Sequence, residues 1–314
     1  MQLIRPDINI NFLESRKIAL SFSAIVLLIS LALIAFKGLN LGIDFTGGTL
    51  VEVRFHQQVE IAEIRSALSG VGYEKAVIQE FGSPVDILVR VQNQNDVESA
   101  VISTTILDAL ASHFGPDQVE MRRVEFVGPQ VGEELKSAGM WAVIYTLIGI
   151  LFYVMVRFKL RFALGADAAL LHDIIIVVGV FSLFDIEFSL SVVAALLTVL
   201  GYSLNDTIVV FDRIRENFEL NRKKKNPENE VVVCNQSINQ TLARTLMTSF
   251  TTLLVVLSLY IYGGEVIHDF AFALIVGIAV GTYSSIFIAT PIMVALEGKF
   301  EMSEEEIKEM EARP

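Results

Sequence analysis

The sequence predicts a polytopic α-helical membrane protein with six transmembrane helices and one small α+β domain between the first two of them. Hydrophobic residues make up 53% of the 314 positions and mean hydropathy is +0.56, while charged residues make up only 19%, against roughly 25% in soluble domains. Six apolar runs are long enough to span the hydrocarbon core, which takes roughly 20 helical residues. The stretch between the first two runs instead alternates strand-like and helix-like patterns.

The apolar runs define the predicted spans. They lie at about 18–36, 137–156, 163–184, 189–211, 245–262 and 270–296. The first run follows Arg16 and Lys17, as a signal peptide would, and contains a candidate cleavage site at Ser30-Leu31-Ala32. Because it continues past that point and five further runs follow, we interpret it as a span.

The distribution of lysine and arginine predicts the orientation. Basic residues occur in segment 1–17, between the second and third spans, and in the predicted loop 212–244, whereas segments 184–188 and 263–269 contain none. With six spans, all the basic segments fall on one side. We therefore expect both termini, including the tail 297–314, to be cytoplasmic and segment 37–136 to lie on the far side.

Segment 37–136 is predicted to form a domain of its own. The alternating pattern of 49–55 is typical of a half-buried strand, and further strands are predicted at 76–81, 86–91 and 119–127. Amphipathic helices are predicted at 59–70 and 95–115. The resulting order, β-α-β-β-α-β, is typical of a ferredoxin-like α+β domain.

Several function classes are disfavoured by the composition. The chain has no phosphate-binding loop motif, no cysteine–histidine spacing for a metal and no Ser–His–Asp pattern, so we expect neither an enzyme nor a cofactor or metal site. Its net charge of −12, without a clustered basic face, argues against a nucleic-acid partner. The lipid membrane is the one partner that composition predicts.

Ionisable and amide side chains inside the predicted spans mark the candidate site. They include Asp167, His172, Asp173, Asn205 and Asp206, with Arg244 at the cytoplasmic edge of the fifth span. An ionisable group at the bilayer centre costs at least ~2.5 kcal/mol on insertion scales and therefore needs a partner. Asp206 and Arg244 both lie towards the cytoplasmic half, so they could pair across helices. The alternatives are a purely structural salt bridge, or an Arg244 that reaches out to the interface, and for His172 and Asp173 a packing hydrogen bond.

Helical spacing places further polar and small residues on common faces. Thr198, Tyr202 and Asn205 or Asp206 recur at intervals of three or four, which predicts one polar stripe. Gly277, Gly281 and Ser285 are four residues apart, and this spacing is typical of close packing between membrane helices.

The stretch "LGIDFTGGTL" at 41–50 follows the first span. We expect Gly42, Gly47 and Gly48 to occupy turns or positions of close backbone approach. We expect Asp44 to order this turn, with a contact to a partner or substrate as the alternative. Phosphate binding is not expected, since no helix or basic residue follows immediately.

These motifs together resemble one known family. They are "GIDFTGGT", "GPQVGEEL", "LLHDIII", "GYSLNDTIVVFDRIREN", "LARTLMTS" and "GTYSSIFIATP", in that order. The chain is similar over residues 8–297 to SecF, a family of membrane subunits in the resistance-nodulation-division superfamily. The resemblance implies a bacterial inner-membrane location and a complex with SecD of twelve spans. It also implies work beside the SecYEG channel on preprotein substrates, with YajC and YidC as further candidate partners.

The resemblance also implies a mechanism and residues for it. SecF and SecD use the proton-motive force to promote late stages of preprotein translocation. Asp206 matches the aspartate, and Arg244 the arginine, that are implicated in proton passage in this family; His172, Asp173 and Asn205 are weaker candidates for the same relay. Two other functions remain open at this point, a proton-coupled small-solute exporter of the same superfamily and a passive scaffold of the translocation channel.

Overall fold

The computed structural model describes residues 9–92 and 99–297. Its elements in chain order are α1 (Arg16–Phe36), β1 (Asn40–Leu41), α2 (Ile43–Thr46), β2 (Gly48–Phe55), α3 (Ile61–Ser69), β3 (Val77–Phe81), β4 (Ser83–Val91), α4 (Ser99–Phe114), a 3-10 turn (Pro116–Gln118), β5 (Val119–Val127), α5 (Pro129–Arg157), α6 (Leu160–Phe184), β6 (Glu187–Phe188), α7 (Leu190–Arg222), α8 (Glu230–Tyr262), α9 (Glu265–Ser284), a π-helical turn (Ser285–Ala289) and α10 (Thr290–Ala295). Of the predicted terminal segments 1–17 and 297–314, the described residues include only 9–17 and 297.

Within residues 9–92 and 99–297, six helices are long and apolar enough to cross a membrane, as predicted. They are α1, α5, α6, α7, α8 and the continuous segment Val266–Ala295, which joins α9 to α10 through the π-helical turn. Pro291 lies in the first turn of α10, and because proline has no amide hydrogen it cannot complete a regular α-helical ladder there. The irregular turn directly before it is consistent with that missing donor.

The prediction of a loop over 212–244 is wrong. Helix α7 continues to Arg222 and α8 begins at Glu230, so only 223–229 connect them. Hydropathy marks the part of a helix that lies in hydrocarbon, whereas the helix itself continues as long as its polar side chains find partners. Here Asn217 donates to Ser237 Oγ (2.8 Å) and to Gln240 Oε1 (2.9 Å) across the two helices.

The sheet domain (residues 48–127) contains the predicted order β-α-β-β-α-β. Its four strands pair in the spatial order β3-β4-β2-β5, and all neighbours are antiparallel. One face of the sheet packs against α3 and α4 around a core that includes Val51, Ile64, Ile87 and Ile106. The first residues of the predicted helix 95–115 lie outside the described residues, which resume with α4 at Ser99.

Three hydrophobic clusters pack between the long helices in the described residues, and two of them are large. One includes Phe158, Phe162 and Phe211 and extends to Phe12 and Leu13 of the segment before α1. The other lies near the sheet domain and includes Phe45, Phe181 and Phe188. Polar side chains buried between the helices lie among these apolar residues and form the candidate site.

Candidate functional site

Asp206 is buried inside the helical bundle, with 2% of its surface exposed. Its carboxylate accepts hydrogen bonds from two hydroxyls of α8, Thr248 Oγ1 at 3.4 Å and Ser249 Oγ at 3.3 Å. Ser249 Oγ also lies 2.7 Å from Thr282 Oγ1 of α9. Three helices therefore meet at this carboxylate through hydroxyl groups.

A second buried carboxylate, Asp173, lies on α6 and is fully inaccessible to solvent. Its Oδ2 accepts from Ser203 Oγ of α7 at 2.6 Å and from Ser284 Oγ of α9 at 2.8 Å. Its Oδ1 lies 3.0 Å from Nδ1 of the neighbouring His172. The other ring nitrogen of His172, Nε2, is buried and has no hydrogen-bond partner among the described residues.

The two carboxylate sites are built in part from the same helices, α7 and α9. Ser203 and Asp206 lie on α7, while Thr282 and Ser284 lie on α9. A serine or threonine hydroxyl can donate to an ionised carboxylate and can also rotate to accept from a protonated one. Both sites can therefore stay hydrogen-bonded in either protonation state, which a fixed guanidinium partner would not permit.

The structure does not bring Arg244 or Asn205 into hydrogen-bond contact with this network, although the charge of Arg244 lies near enough to act on Asp206. Arg244 is exposed on the surface of the bundle, and its side chain makes no hydrogen bond or ion pair with the described part of the chain. Asn205 and Thr198 are exposed as well, whereas Asp206 faces inward. Thr198 and Asn205 therefore share one exposed face of α7, whereas Asp206 points inward, because successive helical residues point about 100° apart at 3.6 residues per turn.

The glycines of α9 allow the bundle to pack closely around the site. A β carbon at Gly281 would lie 2.9 Å from Ser203 Cβ and 3.5 Å from Asp173 Oδ2, and one at Gly277 would collide with Val199. Ser285 is buried and donates to the Thr282 carbonyl at 3.0 Å, inside the π-helical turn. Gly277 and Gly281 thus act at the α7–α9 interface, next to the buried carboxylates.

The glycine-rich motif joins the sheet domain to the helices. Asp44 Oδ2 accepts from the backbone amide of Leu190 at 2.8 Å, at the start of α7. Asp44 therefore caps the helix that carries Asp206, rather than ordering only its own turn. β1 pairs with β6 in a short parallel ladder, and a β carbon at Gly42 would lie 2.7 Å from Glu187 Oε1.

Gly47 and Gly48 occupy positions that suit glycine alone. Their φ angles are +68° and +135°, in the region that side chains with a β carbon rarely adopt. A β carbon at Gly47 would lie 2.8 Å from Pro129 Cα, and one at Gly48 would lie 2.5 Å from the Val91 carbonyl oxygen. The motif also contains the single helical turn α2, which the sequence analysis did not predict.

An ion pair outside the membrane-spanning helices was also missed. Arg90 of β4 pairs with Glu187 of β6 and donates to the Leu41 carbonyl at 2.9 Å. Burial raises the pKa of the Glu187 carboxyl above its usual value, and the Arg90 charge opposes that shift. Both side chains lie in ordinary strand-like contexts, so no local pattern indicates that they meet.

Three serines of the network were missed for a different reason. Ser203, Ser249 and Ser284 are single hydroxyls in apolar runs. The available signal was their spacing from the ionisable residues and glycines: Ser203 precedes Asp206 by one helical turn, and Ser284 follows Gly281 by one turn. In the described residues no group of three or more potential ligands could hold a metal ion.

Comparison with known families matches both parts of this architecture. A family model described as "Protein export membrane protein SecD/SecF, C-terminal" matches residues 106–299, and one described as "SecD/SecF GG Motif" matches residues 32–59. Six apolar helices, buried carboxylates and a sheet domain inserted after the first helix thus define a multi-pass membrane protein of the SecD/SecF class.

Two relatives show to which family within this class the chain belongs. A protein of Vibrio alginolyticus, "Protein translocase subunit SecF", is 49% identical over 94% of this chain and 92% of its own length. A protein of Desulfurispirillum indicum with the same name is 47% identical over 97% of this chain and 96% of its own. The chain therefore belongs to the SecF family.

Solved structures agree with the fold. SecDF from Thermus thermophilus is 38% identical, with a TM-score of 0.83 over 94% of this chain. SecDF in a super-membrane-facing form is 37% identical, with a TM-score of 0.69 over the whole chain. This chain spans about two-fifths of each of those longer chains (40% and 41%).

Proposed function

We propose that this chain is an accessory subunit of the Sec protein-export machinery and that, with SecD, it uses the proton-motive force to promote late stages of preprotein translocation. The observation that carries the proposal is the pair of buried carboxylates, Asp173 and Asp206, held by groups that accommodate either protonation state. Membership of the SecF family supports the export role. Similarity to one part of the longer SecDF chains supports SecD as the partner. SecYEG, YajC and YidC follow as candidate partners from the family resemblance alone.

The proposal includes a location and an orientation. The chain lies in the bacterial inner membrane with both termini in the cytoplasm and the sheet domain in the periplasm. The strand order β3-β4-β2-β5 supports a ferredoxin-like fold for that domain. The C-terminal end of α7 carries the basic residues Arg213, Arg215 and Arg222, as expected of a cytoplasmic segment.

In this mechanism Asp206 gains and loses a proton. Thr248 and Ser249 keep its carboxyl hydrogen-bonded in both states, and Ser249 continues the hydroxyl chain to Thr282. His172 and Asp173 of α6 form a second proton-holding pair, which α7 and α9 contact through Ser203 and Ser284. Arg244 lies one helical turn before Thr248 and carries a guanidinium group. A movement of Arg244 towards Asp206 would favour the ionised form, and a movement away would favour the neutral one. Asn205 is exposed beside Asp206 and would contact the partner subunit that covers this face of α7.

The same helix links the proton site to the sheet domain. Asp44 caps α7 at Leu190, and Arg90 binds Glu187 just before α7. A tilt or rotation of α7 that follows a change of charge at Asp206 would therefore act on the base of the sheet domain. This connection would couple proton binding at Asp206 to movement of the sheet domain, which would act on the exported chain.

The test is Asp206→Asn in membrane vesicles that contain the complete complex. Preprotein translocation is measured after the ATP-driven step, with and without a proton gradient. We expect the gradient-dependent part to be lost while chain levels stay normal, since asparagine keeps the size and hydrogen-bonding capacity but cannot take up a proton. Asp185→Asn is the matched control, because Asp185 is exposed and lies at the end of α6.

Two other outcomes would assign a different function. If Asp206→Asn vesicles translocate like wild type and still respond to the gradient, the proton role of Asp206 is wrong and its hydrogen bonds are structural, as in a passive scaffold. If they lose gradient-driven efflux of small solutes while translocation is unchanged, the chain is a solute exporter.

A further inference from the structure

A polar cavity of about 430 Å³ lies between the start of α1 and the start of α8. Its lining includes Glu14, Arg16, Lys17, Asn235 and Gln236. Helix α1 has 21 residues, about 31 Å at 1.5 Å per residue, which matches the roughly 30 Å of hydrocarbon that it would span. Arg16 and Lys17 therefore lie at the level of the phospholipid headgroups.

The cavity presents charges of both signs. The side chains of Arg16 and Lys17 make no hydrogen bond or ion pair with any residue that the structure describes. Glu14 accepts one hydrogen bond from Asn11 Nδ2 at 3.2 Å through Oε2, which leaves its other oxygen available. The first turn of α1 has no side-chain cap at Ser15, so the positive end of the helix dipole lies beside the two cations.

The wall of the cavity is held in place by the chain itself. Asn235 Nδ2 donates to the Ile10 carbonyl at 2.9 Å, and Asn239 exchanges two hydrogen bonds of 2.9 Å with the backbone of Ile10. The neighbouring Phe12 and Leu13 are buried in the core of the bundle. A ligand would therefore meet a preformed site and would not have to order a loose segment.

An apolar face continues from the cavity along α1. Ile18, Phe22, Ile25 and Ile29 recur at helical spacing and are 75%, 59%, 57% and 54% exposed. This face begins one residue after Lys17. A molecule with a charged head in the cavity and an extended apolar tail would contact both features.

We propose that this cavity binds the headgroup of a zwitterionic aminophospholipid. The phosphate lies against Arg16 and Lys17, the ammonium group donates to Glu14, and the acyl chains follow the exposed face of α1. Arginine and lysine are suited to a phosphate oxyanion, and Glu14 distinguishes a primary ammonium from an uncharged glycerol headgroup. The bound lipid ties the start of α1 to α8, the helix that supplies Thr248 and Ser249 to Asp206.

The test measures lipid retention by the full-length chain purified from nanodiscs. Nanodiscs of equal mixtures of phosphatidylethanolamine, phosphatidylglycerol and phosphatidylcholine are used, and co-purifying lipid is counted by native mass spectrometry. We expect one phosphatidylethanolamine retained in preference to the other two. Arg16→Gln with Lys17→Gln should lower this retention about thirtyfold, since two basic contacts of about 1 kcal/mol each are lost. Arg213→Gln, an exposed arginine paired with Glu216, should leave it unchanged.

Glu14→Gln provides a second variant that keeps both cations and therefore the charge asymmetry that orients α1. It should shift the preference from phosphatidylethanolamine towards phosphatidylglycerol, because the ammonium partner is removed while the phosphate partners remain. Equal retention of the three lipids by wild type, or an unchanged preference in Glu14→Gln, would overturn the proposal. Displacement of the lipid by soluble phosphoethanolamine or inorganic phosphate at matched concentration would overturn the lipid assignment in favour of a free phosphate ester.

Discussion

At the scale of single residues, the absence of an ion pair between Arg244 and Asp206 has a measurable consequence. Arg244 is exposed and makes no ion pair with the described residues, so its removal should change the free energy of unfolding by no more than ~0.5 kcal/mol, as for other surface substitutions. We nevertheless expect Arg244→Gln to abolish gradient-dependent translocation. Arg244→Lys should restore it only in part, because lysine lacks the planar guanidinium.

The measurement pairs thermal unfolding of the purified variants with vesicle translocation. A structural salt bridge to Asp206 predicts the opposite pattern, a clear loss of stability on Arg244→Gln. That result would remove Arg244 from the proton mechanism.

Glu187 gives a pH dependence whose sign can be worked out. Burial raises the pKa of this carboxyl in the fold, and the nearby Asp44 and Asp269 add to the shift while Arg90 opposes it. The folded state therefore binds more protons than the unfolded state between the unfolded value of about 4.3 and the raised value. Stability falls as pH rises through that window.

We expect the melting temperature of wild type to fall relative to that of Glu187→Gln as the pH rises from about 4 through this window. Thermal unfolding of both chains across pH 4 to 8 measures it. Parallel curves, or a shift in the other direction, would mean that the Arg90 charge dominates and holds the carboxylate ionised.

At the scale of elements, α7 and α9 approach closely at Gly277 and Gly281. Gly281→Leu would force its side chain against Ser203 and towards Asp173, and overpacking of this kind costs about 1–3 kcal/mol. We expect a lower melting temperature and less assembled complex. Gly149→Leu is the matched control, since a β carbon at Gly149 on α5 meets no atom within 4 Å.

If Gly281→Leu keeps normal complex levels and stability but loses translocation, close packing is not the role of this glycine. If both leucine variants destabilise equally, the effect belongs to glycine replacement in general and says nothing about the α7–α9 interface.

At the scale of the whole molecule, the orientation can be tested with cysteine labelling. The native Cys234 is fully buried and is a poor reporter, so it is first replaced by serine. Lys75 in the sheet domain and Lys224 in the α7–α8 connection are both exposed. A cysteine at Lys75 should react with an impermeant thiol reagent in intact spheroplasts, and one at Lys224 only after lysis. The reverse pattern would invert the proposed topology.

The sequence by itself determined the architecture of the chain. The number of spans, the order of strands and helices in the sheet domain and the presence of carboxylates at membrane depth all follow from hydropathy and periodicity. These are local properties, because a helix or strand shows its buried face in the residues a few positions apart. Helix ends were less well predicted, as at 212–244, since polar helical extensions carry no hydropathy signal.

Only the tertiary structure decided which side chains meet. Asp206 and its neighbour Asn205 look alike in the sequence, but packing turns one inward and leaves the other exposed. Ser203 and Ser284 both contact Asp173, although they are 30 and 111 residues away from it in the sequence. Arg90 contacts Glu187 across a sequence separation of 97 residues. Such contacts depend on how whole helices and the sheet domain dock. Docking is set by the shapes of many side chains at once, among them the glycines that let the backbones approach, and no short stretch of sequence contains that information.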